Sequence, residues 1–224
     1  MIENFLTQLN AGEISEPFGA VAEYTEYPPM PVNKKEVLRY AGIYGVKDGE
    51  ISEQTEEVFE KAVELLSGKS KFLVGFKPVL IRRDEEGFPI LPINQHSENL
   101  KKNLTDCEAA VFFSATIGSG IDGLIRRYEK ANAPLALMLQ ALGAERVESL
   151  CNLFNEEIKA EAEAFGRTTH PRFSPGFGDL PITVQKEFLG ILDASRRMGI
   201  TLSESFLMAP SKSVTAIIGI TKKL

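Results

Sequence analysis

The longest helical pattern in the chain opens at Pro134 and runs to about Phe165. Leu135, Leu139, Leu142, Leu150, Phe154 and Ile158 recur at helical spacing and form one buried stripe. Gly166 follows and is a natural stop, because glycine takes the left-handed conformation that ends helices. Upstream, Ala109–Ala115 (AAVFFSA) is an unbroken apolar run, the signature of a strand covered on both faces.

Around these two elements the other segments fall into place. Tyr27-Pro28-Pro29-Met30-Pro31 cannot be helical, so residues 1–32 read as an N-terminal arm and 33–224 as the domain. Asn33 with Glu36 three residues later reads as a helix start, and Gly42 as its end. A second helix starts near Ser52 and ends at Ser67-Gly68, with Val58, Phe59, Ala62, Leu65 and Leu66 on one side. Lys71–Arg83 reads as strand, with Pro78 marking an edge or bulge. Ser97–Leu104 is a short helix, and Ile121–Ala131 another. Thr183–Met198 is helical, with Gly199 as its cap. Thr201–Met208 and Ser213–Ile220 read as a terminal hairpin across Ala209–Lys212. Strands scattered between helices, with an antiparallel last pair, fit an α+β domain better than a regular βαβ array.

Formal net charge is −6, which argues against unspecific binding to nucleic acid or to anionic membranes. No apolar run is long enough to span a bilayer and no secretory signal is present, so a cytoplasmic location is expected. Cys107 and Cys151 lie in unrelated contexts and read as small core residues. His96 and His170 sit in no metal-ligand spacing, so no metal site and no catalytic side chain are assigned.

Three segments could carry chemistry. Gly118-Ser119-Gly120-Ile121-Asp122-Gly123 is a literal G-x-G-x-x-G between a strand and a helix. The acidic residue at dinucleotide spacing, Glu145, falls inside the long helix, so a nicotinamide-dependent oxidoreductase is the weakest reading. With Glu148, Glu156 and Glu157, it reads mainly as a solvated face. The second segment, Arg172-Phe173-Ser174-Pro175-Gly176-Phe177-Gly178-Asp179-Leu180-Pro181, lies between two helices. It offers a guanidinium for a carboxylate, an aromatic face for a base or sulfonium, and a carboxylate for an amine or ribose. Composition alone leaves a ligand grip and a structural connector both open. The third, Thr201–Val214, alternates small hydroxyls with apolar residues and reads as a half-buried hairpin.

The blocks Arg172-x-x-x-Gly176-Phe177 and Gly199-Ile200-Thr201-Leu202-Ser203-Glu204-Ser205-Phe206-Leu207-Met208-x-Pro210-x-x-Ser213-Val214 resemble the activation domain of vitamin B12-dependent methionine synthase. That family shows R-x-x-x-G-Y followed by a glycine-led L-T-E-S-x-x-M-x-P-x-x-S-V. Ala141–Glu148 is similar to its central helix, and the likeness extends from about residue 37 to 220. The resemblance implies a single C-shaped α+β domain with a twisted, mainly antiparallel sheet flanked by helices. It also implies presentation of S-adenosylmethionine to a cobalamin that has lapsed to cob(II)alamin. An electron from a flavodoxin-like or other donor and the methyl group together restore methylcobalamin. The chain has no room for homocysteine, folate and cobalamin modules, so a free-standing subunit serving a cobalamin-carrying methionine synthase partner is expected.

Carried over by position, Arg172 would hold the ligand carboxylate. Gly176 matches the motif glycine, and Phe177 keeps the ring of the motif tyrosine without its hydroxyl. Gly178 and Asp179 stand where the family has a Pro-Ala pair. Glu148 is the acid on the central helix that would face the ligand, and Glu64 the N-terminal acidic contact. An alternative within the same fold is a docking or accessory partner of another corrinoid methyltransferase, without strong ligand binding.

Overall fold

The computed structural model describes residues 1–44 and 51–223. Its elements in chain order are α1 (Glu3–Ala11), β1 (Glu23–Tyr27), α2 (Lys34–Tyr40), α3 (Glu53–Leu66), β2 (Phe72–Leu80), β3 (Arg82–Arg83) and β4 (Pro89–Ile90). There follow α4 (Glu98–Asn103), β5 (Cys107–Thr116), α5 (Gly120–Tyr128), α6 (Ala133–Ala164), β6 (Arg167–Thr169), α7 (Gln185–Ile191), α8 (Ala194–Met198), β7 (Thr201–Leu202), β8 (Met208–Ala209) and β9 (Ser213–Lys222).

The central sheet has five strands in the order β1-β2-β5-β9-β6, and every neighbouring pair is antiparallel. Helices cover both of its faces. Val111, Phe113, Ala216 and Ile218 face a core that includes Leu139, Leu150 and Phe154 of α6. Ala110, Phe112 and Ile217 face the second core, with Phe188 of α7, Leu100 of α4 and Phe173. This two-sided burial is why β5 reads as an unbroken apolar run: alternate side chains enter different cores, and both exclude water. Phe154 meets the rings of Phe76 and Phe113 at 5.4 and 5.0 Å, which seats α6 across the sheet.

The α+β expectation, with a mainly antiparallel sheet flanked by helices, matches this architecture. Pro78 lies on β2 where β1 no longer reaches, since β1 pairs only with Phe72–Phe76. Its missing N–H therefore costs no ladder bond on that side. Asn33, Ser52 and Ser97 each accept an N–H three residues on and start α2, α3 and α4.

Several expectations need correction. Residues 1–32, read as an arm, contain α1 and β1, and Ile2, Phe5, Leu6 and Tyr27 are buried in the first core. The terminal hairpin does not form, because Ser213–Lys222 pairs with β5 and β6 instead. Only Thr201–Leu202 and Met208–Ala209 pair with each other, around a turn closed by Ser203 N–H to Leu207 carbonyl at 2.9 Å. The helix read over Thr183–Met198 breaks at Asp193, whose φ of 46° is left-handed. Glu145, assigned to a solvated face, is 2% exposed and paired with equally buried Arg146. That pair reaches out to the backbone: Glu145 accepts the Asn33 N–H at 3.1 Å, and Arg146 donates to the carbonyls of Met30 and Pro31 at 2.6 and 2.7 Å. The proline-rich segment is thereby tied to α6 rather than hanging free.

Candidate functional site

β6 ends at Thr169, but the chain stays against β9. His170 donates its N–H to the Gly219 carbonyl at 2.9 Å, and Phe173 exchanges two backbone bonds with Ile217 at 2.9 and 2.8 Å. Between them Pro171 cannot donate, and Arg172 faces away from the ladder toward α6. Glu148 and Asn152 lie one helical turn apart on α6, where side chains at i and i+4 share a face. Arg172 Nη2 donates to Asn152 Oδ1 at 2.8 Å and to Glu148 Oε2 at 3.2 Å. Among the described residues, no oxygen or nitrogen accepts from its Nε or Nη1. Behind this cluster Cys151 is fully buried, and burial pushes its thiol up to about 12.

The rest of the loop is a closed turn. Gly176 donates to the Leu180 carbonyl at 2.8 Å, and Leu180 donates back to Phe177 at 3.1 Å. Gly176 and Gly178 have φ of 85° and 57°, a region where an L side chain is strained. A Cβ on Gly178 would come within 3.0 Å of the Asn99 side chain. That glycine therefore makes room for α4, a neighbour the sequence did not suggest. Phe177 is 69% exposed and meets buried Phe173 edge-on, with ring centroids 5.6 Å apart. The ring thus leans on the core at Phe173 and is otherwise largely open to solvent.

Asp179 is exposed, yet its carboxylate is engaged. Its carboxylate accepts the Ser97 hydroxyl and the N–H groups of Glu98 (2.8 Å) and Asn99 (3.2 Å), at the start of α4. The Ser97 hydrogen bond first, then those from Asn99 and Glu98, hold its pKa down to about 2. At the other end of α4, Asn103 donates to the Pro171 carbonyl at 3.1 Å, and its own carbonyl meets His170 Nδ1 at 2.6 Å. The loop is therefore clamped to both ends of one short helix and to β9.

The structure thus brings Arg172 and Glu148 together, gathers Gly176, Phe177, Gly178 and Asp179 in one turn further along the same loop, against α4 and Phe173, and leaves Glu64 elsewhere. Glu64 sits on an exposed face of α3, paired with Lys61 at 2.8 Å. Sequence reasoning missed Asn152; its spacing of four from Glu148 on a confident helix was the available signal.

The two other motif segments meet each other. Ser211 donates its N–H to Asp122 Oδ2 at 3.1 Å, and Ser213 donates its hydroxyl to Thr116 Oγ1 at 2.8 Å. Gly118–Gly123 therefore serves as the seat of the Ser211–Val214 segment. Gly120 packs so tightly that a Cβ there would lie 2.1 Å from the Lys69 carbonyl oxygen. With an antiparallel sheet around it, the dinucleotide reading falls. A separate cavity of about 530 Å³ lies between the end of α1 and the sheet end near Lys222. Its cations are already partnered: Arg167 and Lys222 by Glu108, and Arg83 by the Leu104 carbonyl.

Residues 98–223 match the model of the vitamin B12-dependent methionine synthase activation domain. The chain belongs to that family. The match opens at the first residue of α4 and ends just past β9, so it takes in the clamped loop and the Gly199–Val214 block together. A crystal structure of the MetH reactivation domain bound to AdoHcy is similar to this activation domain, with a TM-score of 0.60. The likeness covers 88% of this chain and 78% of that one at 16% sequence identity, and at that identity it speaks for the fold. No curated protein matches this activation domain. Among the described residues, no helix is long and apolar enough to cross a membrane.

Proposed function

We propose that this activation domain binds S-adenosylmethionine at the Arg172 loop and presents its methyl group to a cobalamin carried by a partner protein. The observation that carries the reading is the state of Arg172. Among the described residues, two oxygen acceptors hold one nitrogen, and no oxygen or nitrogen accepts from Nε or Nη1, which could take a carboxylate. Glu148 beside it has a second oxygen for an α-ammonium, and the exposed ring of Phe177 suits a nucleobase or a sulfonium. Arginine, acid and ring thus match an amino acid joined to a nucleoside. Gly176, Gly178 and Asp179 support that geometry by shaping the turn, and Asp179 does so from α4 rather than from the ligand side. Glu64 pairs with Lys61 on α3 and has no part in this reading.

The neighbouring reactivation domain was solved with AdoHcy, the product such a transfer leaves behind, and this supports the same ligand class here. The partner's corrinoid would accept the methyl group once reduced by one electron from a flavodoxin-like or other donor, and S-adenosylhomocysteine would be left on this chain. This chain's part is to hold the sulfonium in line and to keep its tail fixed. In this reading the domain docks in trans on the protein that carries the cobalamin.

Calorimetry with S-adenosylhomocysteine tests binding directly. Reductive methylation of cob(II)alamin on a candidate partner, with and without this protein, tests the role. The docking-partner reading draws support from Asp179, whose carboxylate is engaged, and from the absent hydroxyl at Phe177. It predicts no heat at millimolar ligand even with the corrinoid partner present.

A further inference from the structure

Asn152 is one turn from Glu148 and shares with it a single nitrogen of Arg172. Nη2 carries two protons, and the two acceptors take one each, which fixes the plane of the guanidinium. The two acceptors differ in one respect, since Glu148 is charged and Asn152 is neutral. Arg172, Glu148 and Asn152 together sum to zero charge. A second carboxylate at 152 would hold the guanidinium equally well, but it would make the cluster anionic and repel an incoming carboxylate. Salt bridges this exposed are weak and mobile alone, so one acid would orient Arg172 poorly. The neutral amide adds orientation without consuming the charge.

We infer that Asn152 is a positioning residue that aims the Nε and Nη1 edge of Arg172 at the carboxylate of an α-amino-acid head group, and that its neutrality is part of that role. The inference rests on the ligand class proposed above and adds the residue that selects for the carboxylate.

The test uses the full chain with two probes, S-adenosylhomocysteine and 5′-methylthioadenosine, which keeps the thionucleoside and lacks the amino-acid head. Asn152→Ala weakens S-adenosylhomocysteine by about five- to tenfold, the scale of one neutral hydrogen bond. Asn152→Asp weakens it at least as much, and neither variant changes the affinity for 5′-methylthioadenosine. Nitrogen-15 spectra of the arginine side chains give a readout independent of ligand. The Arg172 Nη2 protons exchange slowly in the wild type and in Asn152→Asp, and become averaged in Asn152→Ala. Equal losses for both probes would mean that Asn152 is merely structural. Wild-type affinity in both variants, or slow Nη2 exchange in Asn152→Ala, would overturn the inference. If the wild-type protein binds neither probe, the proposed ligand fails, and the spectra still decide whether Asn152 holds Arg172.

Discussion

Asp179 Oδ2 accepts the backbone N–H of Glu98 at 2.8 Å, across 81 positions of sequence. The bond puts a carboxylate at the positive end of α4, where free N–H groups and the helix field both favour an anion. Its folded pKa is lowered from 3.8 to about 2. A depressed acid contributes stability above its unfolded pKa and loses it as pH falls through the folded one. Asp179→Asn should therefore melt at a lower temperature than the wild type at pH 7. The gap should start to close below about pH 4 and vanish near pH 2. Thermal melts between pH 7 and 3 follow this, and a gap independent of pH would mean that the carboxylate's charge is idle.

Glu145 and Arg146 carry a different kind of risk. Both are nearly inaccessible, and each serves neighbours beyond its partner: Glu145 also takes the Ser149 hydroxyl at 2.7 Å. Glu145→Ala leaves a guanidinium buried without a counter-charge and frees the Asn33 N–H. The expected loss is about 3–5 kcal/mol, the range for breaking a buried pair from one side. Urea unfolding measures it. A loss under about 1 kcal/mol, the range of exposed pairs, would show that water reaches Arg146.

These two sites mark how far the sequence could be read. The long helix, the doubly covered β5, the cap at Asn33 and the helix starts near Ser52 and Ser97 were legible, because each depends on neighbours within a turn or on a repeat along one strand. The pairing of β9 was not legible. A strand that prefers an interior place between β5 and β6 has the same local pattern as the arm of a hairpin. Burial of Glu145 was invisible for a similar reason, since polarity says nothing about a partner at 146 turned toward residues 30–33. The Arg172 loop stood out by composition, yet Asp179 took the opposite part to the one composition suggested. It anchors the loop to α4, and the exposed ring of the turn is Phe177.

Arg172 is the substitution that separates ligand binding from folding. Its ion pair with Glu148 is partly exposed at 3.2 Å and contributes little stability. Arg172→Ala should leave the unfolding free energy within about 1 kcal/mol of the wild type. The same change should weaken S-adenosylhomocysteine by about 1.5–3 kcal/mol, the scale of a charge-assisted hydrogen bond. Calorimetry and urea unfolding on one preparation give both values. Unchanged affinity would place the ligand carboxylate elsewhere.

The glycines of Gly118–Gly123 offer a contrast within one motif. A nucleotide cradle would need Gly120 for approach to a phosphate and Gly123 for close helix–strand packing, whereas the packing seen here needs only the first of these two. A Cβ on Gly120 would meet the Lys69 carbonyl oxygen at 2.1 Å, and backbone cannot swing aside as a side chain does. Gly120→Ala should cost about 1–3 kcal/mol or more, as overpacking does. Gly123 lies in α5, is exposed, and has nothing within 4 Å of the position an added methyl group would take. Gly123→Ala should stabilise by about 0.4–1 kcal/mol, because alanine restricts the unfolded chain and suits a helix. Urea midpoints of the two variants should fall on opposite sides of the wild type. The same sign for both would show that the segment is not held by Lys69 alone and that the strand-to-helix turn itself resists a side chain.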